Sequence, residues 1–186
     1  TWKDIWLNEG FATYMASLVI ENFDGENAFI LDKIAMINYI TSEPDGAVYL
    51  TAQEATDVSR IFNGRLSYYK GAMVLNMLRL KMGDVGFFQG LRNYLNDINL
   101  NYGYAVTADF QSHMELVYGQ SLSEFFNDWV YHQGFPTYTI AAYNAGPGLA
   151  HVTINQTQSH ASVSFFEMPV PIRFLGAGGL EFDTII

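Results

Sequence analysis

The chain has 186 residues, 49% of them hydrophobic and only 15% charged, which excludes a disordered acidic tail. Nine Lys and Arg, scattered singly, stand against nineteen Asp and Glu for a net charge of −10, so there is no basic face for non-specific nucleic-acid binding. With no Cys, disulfides, Cys-ligated zinc and thiol catalysis are excluded, and no apolar run approaches the roughly 18 residues of a membrane-spanning helix.

Residues from about Asp4 to Asn22 predict a helix that is apolar nearly all round, through Ile5, Leu7, Phe11, Tyr14, Met15, Leu18 and Val19. A helix apolar on every side is expected to be buried on every side. A second helix is predicted over Glu26 to Ile40, with Ile30, Ile34 and Ile37 on one stripe. Pro44-Asp45-Gly46 marks a turn, and residues 47–66 read mostly as loop. A third helix runs from about Ser67 to Met82 and stops at Gly83; a fourth covers about Val85 to Asp97. Thr107 reads as the N-cap of a helix to Tyr118 that Gly119 stops. Ser121 and Glu124 fit a capping box opening a helix with Phe125, Phe126, Trp129 and Val130.

After Pro136 the apolar period changes to two. Tyr138 to Ile140, His151 to Thr157 and a longer stretch from Ser162 to Phe174 read as strands, followed by a turn at Gly176 to Gly179 and a last strand. The composition shifts at the same place. Residues 1–138 carry 8 cations and 16 acids, and the rest only Arg173 against Glu167, Glu181 and Asp183. The fold class is therefore α+β, with a helical part over 1–138 and a β part over 139–186. The chain opens on core-like Trp2, Ile5 and Trp6 and closes on Ile185-Ile186 just after strand-like residues, which predicts a fragment whose β part is cut short.

Glu9 lies inside the first apolar helix. A carboxylate there needs a partner, because burying a bare charge is expensive. A buried salt bridge or a reach to the helix edge is the plain explanation, and a metal ligand or catalytic base is the other. Ala12, Thr13 and Ala16 share its face and leave room for another backbone beside it.

The residues around Glu9, Trp2-Lys3-Asp4-Ile5-Trp6-Leu7-Asn8-Glu9-Gly10-Phe11-Ala12, resemble the stretch that carries the third zinc ligand in the aminopeptidase N family of gluzincin metallopeptidases. A second segment, Ser67-Tyr68-Tyr69-Lys70-Gly71-Ala72, resembles that family's Tyr-x-Lys-Gly motif. A third, Phe125-Phe126-Asn127-Asp128-Trp129-Val130 through Gly134-Phe135-Pro136, is similar to the end of its catalytic domain. The resemblance implies the C-terminal half of a thermolysin-like catalytic domain, followed by the start of a β-sandwich-like domain. It implies Glu9 as a zinc ligand and Tyr68 as the hydrogen-bond donor to the oxyanion, with a metal-activated water attacking the N-terminal peptide bond. The expected substrate is a peptide with a free N-terminus.

The family's two His ligands and its general base come from a His-Glu-x-x-His helix, roughly eighteen residues before the ligand Glu. No such motif occurs here. His113, His132, His151 and His160 have no metal-ligand spacing, so both His ligands are expected upstream of Thr1 and the isolated chain is expected to be inactive. The alternative is a non-catalytic helical and β interaction module derived from the same fold. His113 and Glu115, two apart on a helix, point in different directions. Asp24, Glu26 and Asn27 around Gly25 lack the spacing of a Ca²⁺ loop. The compartment stays open, with secretion or a periplasmic location one alternative.

Overall fold

A computed structural model describes residues 1–186. A 3₁₀ turn over Trp2–Asp4 leads into α1 (Trp6–Asp24), and Gly25, in the left-handed region at φ 87°, turns the chain into α2 (Glu26–Ile40). Two elements stand where the sequence reads as loop, a 3₁₀ turn over Glu54–Thr56 and the short α3 (Val58–Ile61). A π-helical segment, Gly64–Lys70, then runs directly into α4 (Gly71–Leu95), which breaks at Gly83. α5 (Thr107–Tyr118) and α6 (Ser123–Phe126) follow, and a second π-helical turn, Asn127–Tyr131, ends the helical part.

The β part is two antiparallel hairpins. β1 (Pro136–Gly146) pairs with β2 (Leu149–Gln158), with Ile140 opposite Ile154, and β3 (Pro171–Leu175) pairs with β4 (Glu181–Ile185), with Phe174 opposite Phe182. The long strand expected from Ser162 to Phe174 does not form before Pro171. Val163 and Phe166 instead leave the strand pattern and join the helical core, where Phe166 lies 4.5 Å from the Trp129 ring. That burial outweighs the local strand preference. One core, including Trp6, Leu78, Phe87, Phe110 and Phe126, thus spans the helices and reaches the first residues beyond β2.

Two expectations about caps change. Val106, not Thr107, precedes the first turn of α5, and the Asp109 carboxylate accepts its N–H at 2.9 Å. Thr107 faces inward: its N–H and hydroxyl both donate to buried Asp4 at 2.9 Å, and Trp6 Nε1 donates to its hydroxyl at 3.0 Å. At α6, Leu122 N–H donates to Glu115 at 2.7 Å, which supplants the expected Ser121 and Glu124 box.

The first helix is not buried all round. Trp6, Gly10, Tyr14 and Ser17 face the core, whereas Met15, Val19 and Phe23 are exposed, as are Leu31 and Ile34 on α2. α2, α4 and the π-helical segment pack against α1, and Phe110 of α5 meets its Trp6 and Phe11 rings.

Candidate active site

Two segments far apart in sequence carry the site residues, and glycine brings them together. α1 crosses the junction of the π-helical segment and α4 at Gly10 and Gly71. A Cβ built on Gly10 would stand 2.9 Å from the Gly71 carbonyl carbon and 3.0 Å from its Cα. Ala12 and Ala16, the small residues on the Glu9 face, are exposed and take no part in this crossing. The signal was available in the sequence: a glycine inside a helix costs about 1 kcal/mol against Ala, which points to a packing reason. Gly10→Val must push the two backbones apart, since neither is a flexible side-chain end. A stability loss of about 2 kcal/mol is expected in denaturant unfolding; an unchanged midpoint would contradict the crossing.

Glu9 lies in the first turn of α1, one residue before this contact. It is half-buried and forms no ion pair; Asn8 Nδ2 donates a long 3.4 Å hydrogen bond to its carboxylate, and the Tyr68 phenol lies beside it. The salt-bridge explanation for its place in an apolar helix is therefore not what is found. Thr13 Oγ1 donates to the Glu9 carbonyl at 2.7 Å, which fixes the backbone of this turn without touching the carboxylate.

Tyr68 lies in the π-helical segment three residues before Gly71. Burial raises its phenol above the usual tyrosine range, and the neighbouring Glu9 carboxylate raises it further, as acceptor and as charge. The phenol thus keeps its proton at neutral pH and remains a donor. π-Helical turns inside helices are frequent at functional sites, because they re-aim side chains relative to a regular helix. A cleft of about 240 Å³ opens between α1 and α2, lined by Thr13, Ser17, Asp32, Met36 and Tyr69, and another of about 730 Å³ lies between the tip of the first hairpin and the second hairpin; neither Glu9 nor Tyr68 lines either of them.

The histidines stay apart from this pair. His113 contacts the Asp109 carbonyl at 2.8 Å and Asp97 at 3.0 Å, while Glu115 faces Leu122. His151 stacks on Tyr143, His160 contacts Ser162 at 2.9 Å, and His132 contacts the Asn127 carbonyl at 2.9 Å. No group of three His, Cys, Asp or Glu side chains comes together to hold a metal. Zinc fits the site in part: an unpaired carboxylate is a suitable oxygen donor, and two further ligands are required for a catalytic site of three.

The description "Peptidase family M1 domain" matches residues 1–129. A relative named probable aminopeptidase 1, from Saccharolobus solfataricus, is 30% identical over 147 residues, covering 76% of this chain and 18% of its own length. In fold, the chain is similar to Legionella pneumophila aminopeptidase A, solved in complex with aspartic acid, with a TM-score of 0.72, 20% identity, and coverage of 100% of this chain and 20% of that one. A mutant M1 zinc metallopeptidase from Deinococcus radiodurans, bound to a Tyr-Ser-Ala substrate, aligns with a TM-score of 0.53 and 28% identity over 70% of this chain and 28% of that one. The chain thus spans about a fifth of the length of the curated relatives it matches. No helix is long and apolar enough to cross a membrane. On the match over its helical part and the accompanying relatives, the chain belongs to peptidase family M1.

Proposed function

We propose that this chain is the part of a zinc aminopeptidase that supplies one metal ligand, Glu9, and the oxyanion donor, Tyr68. Residues 1–138 would be the C-terminal part of the catalytic domain, and residues 139–186 the start of a β domain. The observation that supports the reading is the pairing itself: a carboxylate with no cation partner beside a phenol that holds its proton.

Zinc in such a site lowers the pKa of a coordinated water towards about 7 and polarises the scissile carbonyl. Glu9 offers the hard oxygen that binds it. Tyr68 donates its phenolic hydrogen to the oxygen of the scissile carbonyl as negative charge grows there. Because the phenol is held by the fold before substrate arrives, the donor needs no reorganisation at the moment of reaction. The substrate class is a peptide with a free N-terminus.

One ligand and one donor do not make a peptidase. Purified chain, supplied with zinc and an aminoacyl arylamide, is expected to release no arylamine, whereas the parent protein that adds a His-Glu-x-x-His helix is expected to turn over. Turnover by the clean chain would overturn the assignment of the base and two ligands to another segment. A parent that binds zinc but shows no turnover would favour the second reading, an interaction module, for which the exposed stripe of Met15, Val19 and Phe23 is the supporting feature.

A further inference from the structure

Lys70 is buried at 4% exposure, at the end of the π-helical segment that carries Tyr68. Its Nζ donates to the Gly46 carbonyl at 2.8 Å and to the Gly134 carbonyl at 3.0 Å, and no carboxylate lies within ion-pair distance of it. Those carbonyls come from two separate stretches, the turn after α2 and the link into β1. Gly46 has φ 95°, and a Cβ there would meet Leu66 of the π-helical segment at 2.7 Å, so the turn is pressed against the segment it anchors. Burial pushes the Lys70 amine down to about 7, with Arg65 and Arg60 acting in the same direction and Asp45 opposing them. Such a group is costly to keep, and a leucine-like side chain would fill the space more cheaply.

The other end of the segment is tied in the same manner. Arg65, also buried, donates to the carbonyls of Ile40 at 3.2 Å and Asp45 at 2.9 Å, and to the Glu43 carboxylate at 2.9 Å. Tyr68 sits between these two cations, in a stretch whose widened backbone bonding leaves its register to be set from outside.

We propose that Lys70 is a positioning residue of this site: by bridging Gly46 and Gly134 it holds the π-helical turn in the register that turns the Tyr68 phenol towards Glu9. This inference rests on the roles given above to Glu9 and Tyr68. Lys70 touches neither substrate nor metal and acts through Tyr68 alone.

The test is a double-mutant cycle in the parent peptidase, joined to hydrogen exchange on the 186-residue chain. Lys70→Met keeps the stem and removes the donors. It is expected to lower kcat by about 10²-fold, the cost of a small misplacement of a reacting group, with KM little changed. Combined with Tyr68→Phe it is expected to add almost nothing, because both act on one donor. Losses that multiply in full would overturn the inference. A Tyr68→Phe single variant with full activity would instead overturn the role of Tyr68, a failure seen without touching Lys70. In the chain alone, Lys70→Met is expected to speed exchange of amides 66–71 while α5 and β1 stay protected. Uniform loss of protection would mean that Lys70 supports the whole fold, and would overturn the proposal equally. Should Lys70→Met fail to fold, Lys70→Gln, which restores N–H donors, is put through the same cycle. Under the proposal it keeps most of the wild-type kcat, and whatever it loses is not lost again in the Tyr68→Phe background; a loss that multiplies in full with that of Tyr68→Phe would overturn the proposal.

Discussion

Replacing Tyr68 with Phe is expected to lower kcat of the parent enzyme by about 10²–10³, the usual cost of one oxyanion donor. Zinc content and KM should hardly move. The substitution removes a single oxygen from a half-buried ring, so the fold loses little. The donor acts only where charge develops, so its loss falls on the transition state and lowers kcat and kcat/KM together. Steady-state kinetics on an aminoacyl arylamide, with metal analysis of the same sample, checks this. An unchanged kcat would remove Tyr68 from the mechanism. A fallen kcat with fallen zinc content would mean that the residue supports the metal site instead.

Replacing Glu9 with Ala is expected to weaken zinc binding by more than about 100-fold. Loss of a supporting contact around a metal site already costs about 10–100-fold, and here the proposed ligand itself is removed. Competition with a chelator of known affinity reads this directly. The structure separates the metal role from a folding role. Glu9 forms no ion pair, and its half-exposed carboxylate meets Asn8 only at 3.4 Å and otherwise the Tyr68 phenol, so the zinc-free chain should change in stability by no more than about 0.5 kcal/mol. Full zinc affinity in Glu9→Ala would contradict the ligand assignment. A large loss of stability in the zinc-free chain would show that the carboxylate holds the fold.

Most of the helical part can be read from the sequence, because α2, α4 and α5 carry repeating apolar positions and glycines punctuate the helices: Gly25 separates α1 from α2, Gly83 breaks α4 and Gly119 ends α5. Residues 47–66 are harder to read. Val48, Leu50 and Ile61 are buried there without a period to detect: Val48 joins the main helical core, whereas Leu50 and Ile61 form a small cluster with Ile5. The strand expected from Ser162 fails for the same reason, since Val163 and Phe166 answer to the helical core rather than to a neighbouring strand. The exposed stripe of α1 misleads in the opposite direction: composition shows that Met15, Val19 and Phe23 are apolar, not whether anything packs on them.

The site divides along similar lines. Glu9 and Tyr68 stand out in the sequence through the motifs around them, and no local spacing could pair them. The Gly10–Gly71 crossing does so, and Gly71 can be recognised as a contact only once Gly10 is seen to need one. Lys70 belongs to the Tyr-x-Lys-Gly segment, yet its part depends on two carbonyls, at Gly46 and Gly134, that hydropathy does not register. Lysine at neutral pH reads as surface, and burial is what makes it informative.

The most direct measurement is the sequence of the parent gene over about thirty codons before Thr1, the span where the family spacing would put two His ligands and the base. An in-frame His-Glu-x-x-His is expected, with its second His about nineteen residues before Glu9. An in-frame segment in which either His or the Glu is replaced would contradict this expectation, and would leave Glu9 and Tyr68 as parts of a site that binds no catalytic zinc.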